Sequence, residues 1–478
     1  MEKKLSRRVF LRMFSIGTTA GLLAACQPKI VEVTKIVEKE KIVKETVEVE
    51  KIVKEAVEVE KEVTRVVEKE IVKPAPKLQG ELIFWGHDQH PIDLAATGFV
   101  ERYPEVKWVS PHPADRGKKF TAALAAGSGC PDLYWAEATE AQDWGCNELL
   151  TDLTEEILPY KDDYHPLKLN EAFVAKTGKY VGWPGDISVS AYYYRPDKFE
   201  EGGYADVDWD KLTYDDFCLM SAELAKQGKY TFCFPADGWS ALYMYALHQL
   251  GGTAVSQDGQ KIMVGDEKGI HAMSIVKQLW DCGGGLDVAW WSAPYWAAIQ
   301  EGILIGDFAA AWAKGFWEAQ IQSAEAGMGT WRLAPFPTGD GIKYRSGVWG
   351  GAQLVHVKSA ENRDNAIALM KYALGTIEGA ALAGSWGIIP GYRPYLASPL
   401  FLRLKSPVFG DWYFNEKWAE LEKELSTEFY RPAGWGAVSA IIGKEMPTIM
   451  EGEYSVEDGM QRIVDLATPD FDRTKCAL

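Results

Sequence analysis

The stretch ELIFWGHDQHPIDLAATGFVERYPEVKWVSPHPADRGKKFTAALAAGSGCPDLYWAEA, Glu81 to Ala138, decides the fold. Glu81-Leu82-Ile83-Phe84-Trp85 is short, apolar and β-prone, which predicts a strand, and the apolar spacing that follows predicts a helix from Asp93 to Tyr103. The pattern then repeats: a strand over Val106–Ser110, a helix over Asp115–Ala126 and a third strand over Asp132–Trp135. Strand alternating with helix at this pace builds a parallel α/β sheet covered on both faces. Ligands of such sheets lie beyond the carboxyl ends of the strands, so the loops that begin at Trp85 and Trp135 are the first candidates for a site.

Upstream of this region the composition changes abruptly. From Ile30 to Lys73 there is no glycine, proline or aromatic residue, and KETVEVEKIVKEAVEVEKEV, Lys44 to Val63, writes one ten-residue unit twice. Charges alternating with Val and Ile solvate the segment but supply no large side chains for a core. A ten-residue repeat keeps poor phase with a helix, which favours a fluctuating stalk over a stable coiled coil; as a helix it would reach roughly 65 Å. Pro74-Ala75-Pro76 ends it. The chain begins MEKKLSRRVFLRMFSIGTTAGLLAAC, a basic start, an apolar stretch too short to span a bilayer and small residues ending at Cys26. Ser6-Arg7-Arg8-Val9-Phe10-Leu11-Arg12 resembles a twin-arginine export signal, and Leu23-Ala24-Ala25-Cys26 resembles the lipobox of bacterial lipoproteins, whose cysteine is lipidated. Residues 1–25 are therefore expected to be a signal peptide, and residues 26–77 a lipid-anchored stalk reaching out from the cytoplasmic membrane.

The remainder of the 478-residue chain is long enough for two domains with sizeable cores, and it shows no second membrane segment. The formal charge of -17, more negative once the basic leader is removed, argues against nucleic acid as a partner. Besides Cys26 there are Cys130, Cys146, Cys218, Cys233, Cys282 and Cys476. Cys130 with Cys146, and Cys218 with Cys233, would close short local loops or stay as buried free thiols, and sequence alone does not choose among the possible pairings. There is no CxxC motif or zinc spacing. His87 and His90 flank Asp88 as a possible metal set, yet Pro91 and a strand-end context speak against it, and neither a metal nor a cofactor is expected.

Read in order, ELIFWGHDQH, FVERYPEVKWV, FTAALAAGSGCPDLYWAEA, KYVGWPGDISVSAYYYRPDKF, FPADGWSALYMYALHQLGG, ILIGDFAAAWAKGFWEAQI, WRLAPFPTGDG, VWGGAQLVHVKSAENRDNAIALMKYAL and GSWGIIPGYRPYL resemble the extracellular solute-binding proteins of sugar-importing ABC transporters, the group containing maltose-binding protein. The resemblance runs from Gln79 to the C-terminus. It implies a periplasmic-binding-protein fold of type II: two α/β lobes joined by strand crossovers and closing like a hinge over ligand. Transferred here, the crossovers fall near Gly185–Ser190, Pro335–Gly341 and Ile388–Arg393, with one lobe of residues 78–185 and 335–388 and the other of 186–334 and 389–478. The implied partners are a small carbohydrate and the permease of an ABC transporter, with the receptor acting as a monomer.

The same resemblance nominates ligand-binding residues. Asp88 and Gln89 follow the first strand, and Trp135 and Glu137 close the PD strand. Trp239 precedes a helix, Trp317 follows the GDFAAAWAKG turn, Trp349 lies in a glycine-rich loop, and Trp435 is the final aromatic near the cleft. Sugars lay an apolar face on an aromatic ring while polar groups take the hydroxyls, and nineteen tryptophans suit that chemistry. Each tryptophan also has an ordinary reading as a core residue. Trp85 straddles both roles, Asp186 and Ser188 lie where a hinge residue would bond ligand or merely cap a loop, and Tyr193 is on one face of a probable hinge strand. Gln89, where the maltose-binding pattern has lysine, argues against maltodextrin itself. No GxSxG, HExxH, GxxxxGK[ST] or GxGxxG motif is present, so no enzyme is expected. The alternatives are a receptor for a peptide, polyamine or polyol, and a surface glycoside hydrolase.

Overall fold

The computed structural model describes residues 77–87, 90–234 and 240–476. The leader, Cys26 and the stalk lie outside the described residues, as do Asp88, Gln89 and Trp239. Among the described residues no single helix is long and apolar enough to cross a membrane.

The opening stretch folds as its periodicity predicts. Strand β1 (Gly80–Trp85), the helix Pro91–Arg102, β2 (Val106–Val109), the helix Arg116–Ala126 and β3 (Leu133–Glu137) follow in order, and β2, β1 and β3 pair in parallel. Alternation decides which side chains face which core. Leu82, Phe84, Leu133 and Trp135 enter one cluster with Phe99 and Leu354, whereas Tyr134 and Ala136 enter another with Phe120 and Val355. Pro91 starts its helix because the missing N–H is not needed there, and His90 caps it, its Nδ1 accepting from Ile92 N at 3.1 Å.

Eight further segments matter for the site. Strand β4 (Trp183–Pro184) ends at the first exit from this sheet; β5 (Ser190–Tyr194), β6 (Gly306–Ala310) and β7 (Arg332–Ala334) form a second sheet, ordered β6-β5-β7 and antiparallel throughout. Strand β8 (Ala352–His356) then returns to the first sheet between β3 and β4, antiparallel to both. The first sheet is thus parallel only in its opening part, because β8 enters it from the side of the second sheet. The helices Trp435–Met450 and Val456–Thr474 pack together and against Glu267–Asp281, within the core built on the second sheet.

Three stretches connect the sheets, and backbone bonds lace them together. Ile187 N donates to Ile389 O and Gly391 N to Gly185 O, while Ser190 N donates to Gly347 O. Residues 335–345 bond among elements of the second sheet: Thr338 bridges Thr213, and Lys343 N donates to Gln249 O.

Neither of the two possible local disulfides is formed. Cys146 pairs with Cys476, their Cα atoms 5.8 Å apart, and Cys130, Cys218 and Cys282 are free thiols. Closeness along the chain was the only ground for the local pairs, and the C-terminal tail, folded back onto the helix Ala138–Cys146, brings a more distant partner into reach.

Candidate functional site

Two adjoining cavities open between the sheets, and Glu137 and Gly350 line both. The larger, about 620 Å³, is bordered by Thr139, Ser240, Met244, Val348, Trp349, Phe429, Arg431 and the flank of the helix beginning at Trp435. The smaller, about 440 Å³, is walled by Trp135, Trp312, Phe316 and Trp386, with His87, His90 and Asp186. One is rich in hydroxyls and charge, the other in aromatic faces.

Gly350 stands where the two cavities meet. Its φ of +73° suits glycine, and a Cβ there would stand 3.6 Å from Ser188 Oγ, 3.7 Å from Trp312 Nε1 and 3.8 Å from Glu137 Oε2. Gly351, φ +90°, packs more tightly, with a Cβ meeting Asp186 O at 3.1 Å.

Glu137 ends β3, where the chain turns directly into the next helix, and its own N–H donates to Glu140 Oε2 at 3.0 Å. Burial pushes its carboxyl up to about 7, against the pull of Arg431 and Lys168. Arg431 is held by a buried network: its guanidinium and the Lys168 ammonium both reach Glu171, each at 2.5 Å. Burial alone would raise the Glu171 carboxyl, but the two cations outweigh it and leave it below the ordinary value. The network ties the helix Pro166–Ala172, beside the first sheet, to the segment before Trp435. Burial likewise lowers His90 well below the usual imidazole range, so its ring stands neutral in the cavity wall, edge-on to Trp135 at 4.7 Å.

The nominated residues divide. Trp135, Glu137, Asp186, Trp349 and Trp435 line the cavities. Asp186 is nevertheless engaged in the crossover, its Oδ1 accepting from Ser188 N at 3.0 Å and Ile389 N at 3.1 Å. Ser188, fully buried with φ +59°, donates its hydroxyl to Trp349 O at 2.5 Å and lines neither cavity. Three nominations are corrected. Trp317 is fully buried against Trp331 and Tyr193, because it faces inward on its helix while Phe316 faces the cavity. Tyr193 is core, its hydroxyl donating to Ala310 O. Trp85, at an alternate position of β1, packs on Phe120 on the far face of the sheet.

Sequence reading passed over Trp312, Phe316, Trp386 and Arg431. The first two lie in the AWAKGFW segment, four residues apart and so on one face of the helix Ala313–Gln320 extended by its N-cap, Trp312. Trp386 offered no local signal: it packs where Gly315, distant in the chain, has no side chain, and a Cβ there would fall 2.7 Å from the indole.

Two α/β sheets laced by three crossovers, with a cleft lined from both, define a two-lobed binding protein. Residues 95–401 match the family described as bacterial extracellular solute-binding protein, and the chain belongs to that family of exported proteins. It is 27% identical over 190 residues to the arabinooligosaccharide-binding protein of Halalkalibacterium halodurans, an alignment covering 37% of this chain and 41% of that relative. The fold is similar to the galacto-N-biose/lacto-N-biose I-binding protein of Bifidobacterium longum, solved with lacto-N-biose (TM-score 0.67, 18% identity, 83% of this chain and 98% of that one). It is similar also to the GacH receptor of Streptomyces glaucescens, solved with acarbose (TM-score 0.67, 20% identity, 83% and 100%), and to the sugar-binding protein MalE of Xanthomonas citri (TM-score 0.68, 16% identity, 82% and 98%).

Proposed function

We propose that this chain is the receptor of an ABC importer, capturing a sugar or oligosaccharide between its lobes and presenting it to a membrane permease. The observation that carries this reading is the pair of adjoining cavities: aromatic walls in one, hydroxyls, Arg431 and Glu137 in the other, with contributions from both lobes. A pyranose has the same division, apolar on its faces and polar at its rim. The ligands named for the arabinooligosaccharide and lacto-N-biose proteins agree with it. Ligand touching both lobes favours the closed state by its differential affinity, and closure is the signal a permease reads. On this reading one lobe is residues 78–185 with the return through β8 to Ile388; the bonds of Thr338 to Thr213 and of Lys343 to Gln249 support a second crossover closer to Ser346–Gly351 than to Pro335–Gly341.

The anchor belongs to the same proposal. The leader motifs and Cys26 tether the stalk to the outer face of the membrane, and Cys26→Ala moves the protein to the soluble fraction. A glycoside hydrolase is the competing reading, since a carboxyl titrating near 7 suits a general acid. Asp186, however, is occupied by two backbone N–H donors. A thermal-shift screen over mono- and oligosaccharides, peptides, polyamines and polyols, followed by calorimetry, tests the assignment. A saccharide that raises the melting temperature, binds one per chain and is recovered intact is expected. Stabilisation only by a non-sugar solute, or turnover of the saccharide, would overturn it.

A further inference from the structure

Two helices around the second sheet come unusually close at one point. On Tyr214–Ala225 this is Ser221, and just beyond Glu267–Asp281 it is Gly284, where an added Cβ would stand 2.2 Å from Ser221 Cβ. Thr231 pins the approach: its N–H donates to Gly284 O at 3.1 Å and its hydroxyl to Ser221 Oγ at 2.6 Å.

Each helix carries a cysteine at this contact. Cys218, one turn before Ser221, is buried and donates to Gln278 O at 3.8 Å. Cys282, one turn after Gln278, is half-exposed and donates to Leu279 O at 3.1 Å. Both cysteines meet at one carbonyl, since Cys282 N donates to Gln278 O at 3.1 Å beside the Cys218 thiol. Neither belongs to the Cys146–Cys476 disulfide.

We propose that Cys218 and Cys282 are a redox-active dithiol that closes into a second, reversible disulfide linking the two helices. Exported proteins meet oxidants that carry disulfides, and this pair has both a route in and a resolving partner. Cys282 is the less buried of the two, so its sulfur meets the oxidant first and, as the thiolate, is the nucleophile. Its thiolate attacks one sulfur of the oxidant's disulfide, forming a mixed disulfide and expelling one oxidant thiolate. Cys218 then loses its proton and attacks Cys282 Sγ, expelling the second. Two electrons pass to the oxidant, whose two sulfurs take up the two protons.

The test uses the full chain with oxidised glutathione as the probe, denaturing alkylation and peptide mass mapping. Before oxidation, Cys282 alkylates faster at neutral pH than buried Cys218 and Cys233. After oxidation, a linked Cys218–Cys282 peptide appears, both sites lose alkylation, and dithiothreitol reverses the change. Cys282→Ser leaves Cys218 fully alkylatable under the same treatment. Full alkylation of both cysteines after oxidant, or a stable glutathione adduct on Cys282 with Cys218 still free, would overturn the proposal.

Discussion

Glu137 is where the two cavities converge, and its protonation reports on both. Its carboxyl, ordinarily near 4.5, is raised to about 7 by burial. Between those values the folded protein keeps a proton that the unfolded chain releases. This group's contribution to stability therefore falls as pH rises from about 4.5 and has reached its floor above about 7. Ligand responds in the opposite sense, because hydroxyls donating to Glu137 favour the ionised form. Calorimetric affinity for the identified sugar is expected to strengthen from about pH 6 to about pH 8, by about tenfold for each unit that binding lowers the pKa, and Glu137→Gln flattens the profile. A flat wild-type profile would remove Glu137 from the polar contacts.

The helix Ala313–Gln320 shows how one element serves core and cleft together. Each residue turns the side chain by about 100°, so Phe316 and Trp317 point to different surroundings although they are neighbours. Phe316, 43% exposed, meets Trp386 at 5.3 Å across the cavity, while Trp317 is 0% exposed. Phe316→Ala should weaken sugar binding by about 1–3 kcal/mol with little change in ligand-free melting temperature. Trp317→Ala should lower that melting temperature, costing about 3–5 kcal/mol through the cavity it leaves. Calorimetry and thermal melts of the two variants check this pair, and unchanged affinity in Phe316→Ala would take the aromatic wall out of the site.

At the scale of the molecule, covalent and polar ties cross between the proposed lobes beside the larger cavity. Cys146–Cys476 joins the helix after β3 to the C-terminal tail, Arg431 reaches Glu171, and Gly434 N donates to Asp143 Oδ1 at 3.2 Å. A disulfide in that position limits how far the proposed hinge opens. In Cys146→Ser, the ligand-free protein should show a larger radius of gyration by small-angle scattering than the wild type, and the liganded forms should match. Apparent affinity falls by the fraction of the ensemble that leaves the binding-competent state. Identical ligand-free scattering for the two proteins would mean that the disulfide does not restrain opening.

The amino-acid sequence by itself determined the local elements and the outline of the fold. Alternation in Leu82, Phe84, Leu133 and Trp135, and the helix periods between them, are properties of short windows, and the elements formed within a residue or two of where those periods place them. The strand-end rule likewise led to Trp135 and Glu137. Tertiary structure alone decided the rest. Cys146 found a partner 330 residues away, β8 entered the first sheet antiparallel, and Trp312, Phe316 and Trp386 met around one cavity while Trp317 went inside. Those outcomes depend on contacts between segments far apart in the chain, where the same residue type serves equally well as core or as cavity wall, and only packing separates the two.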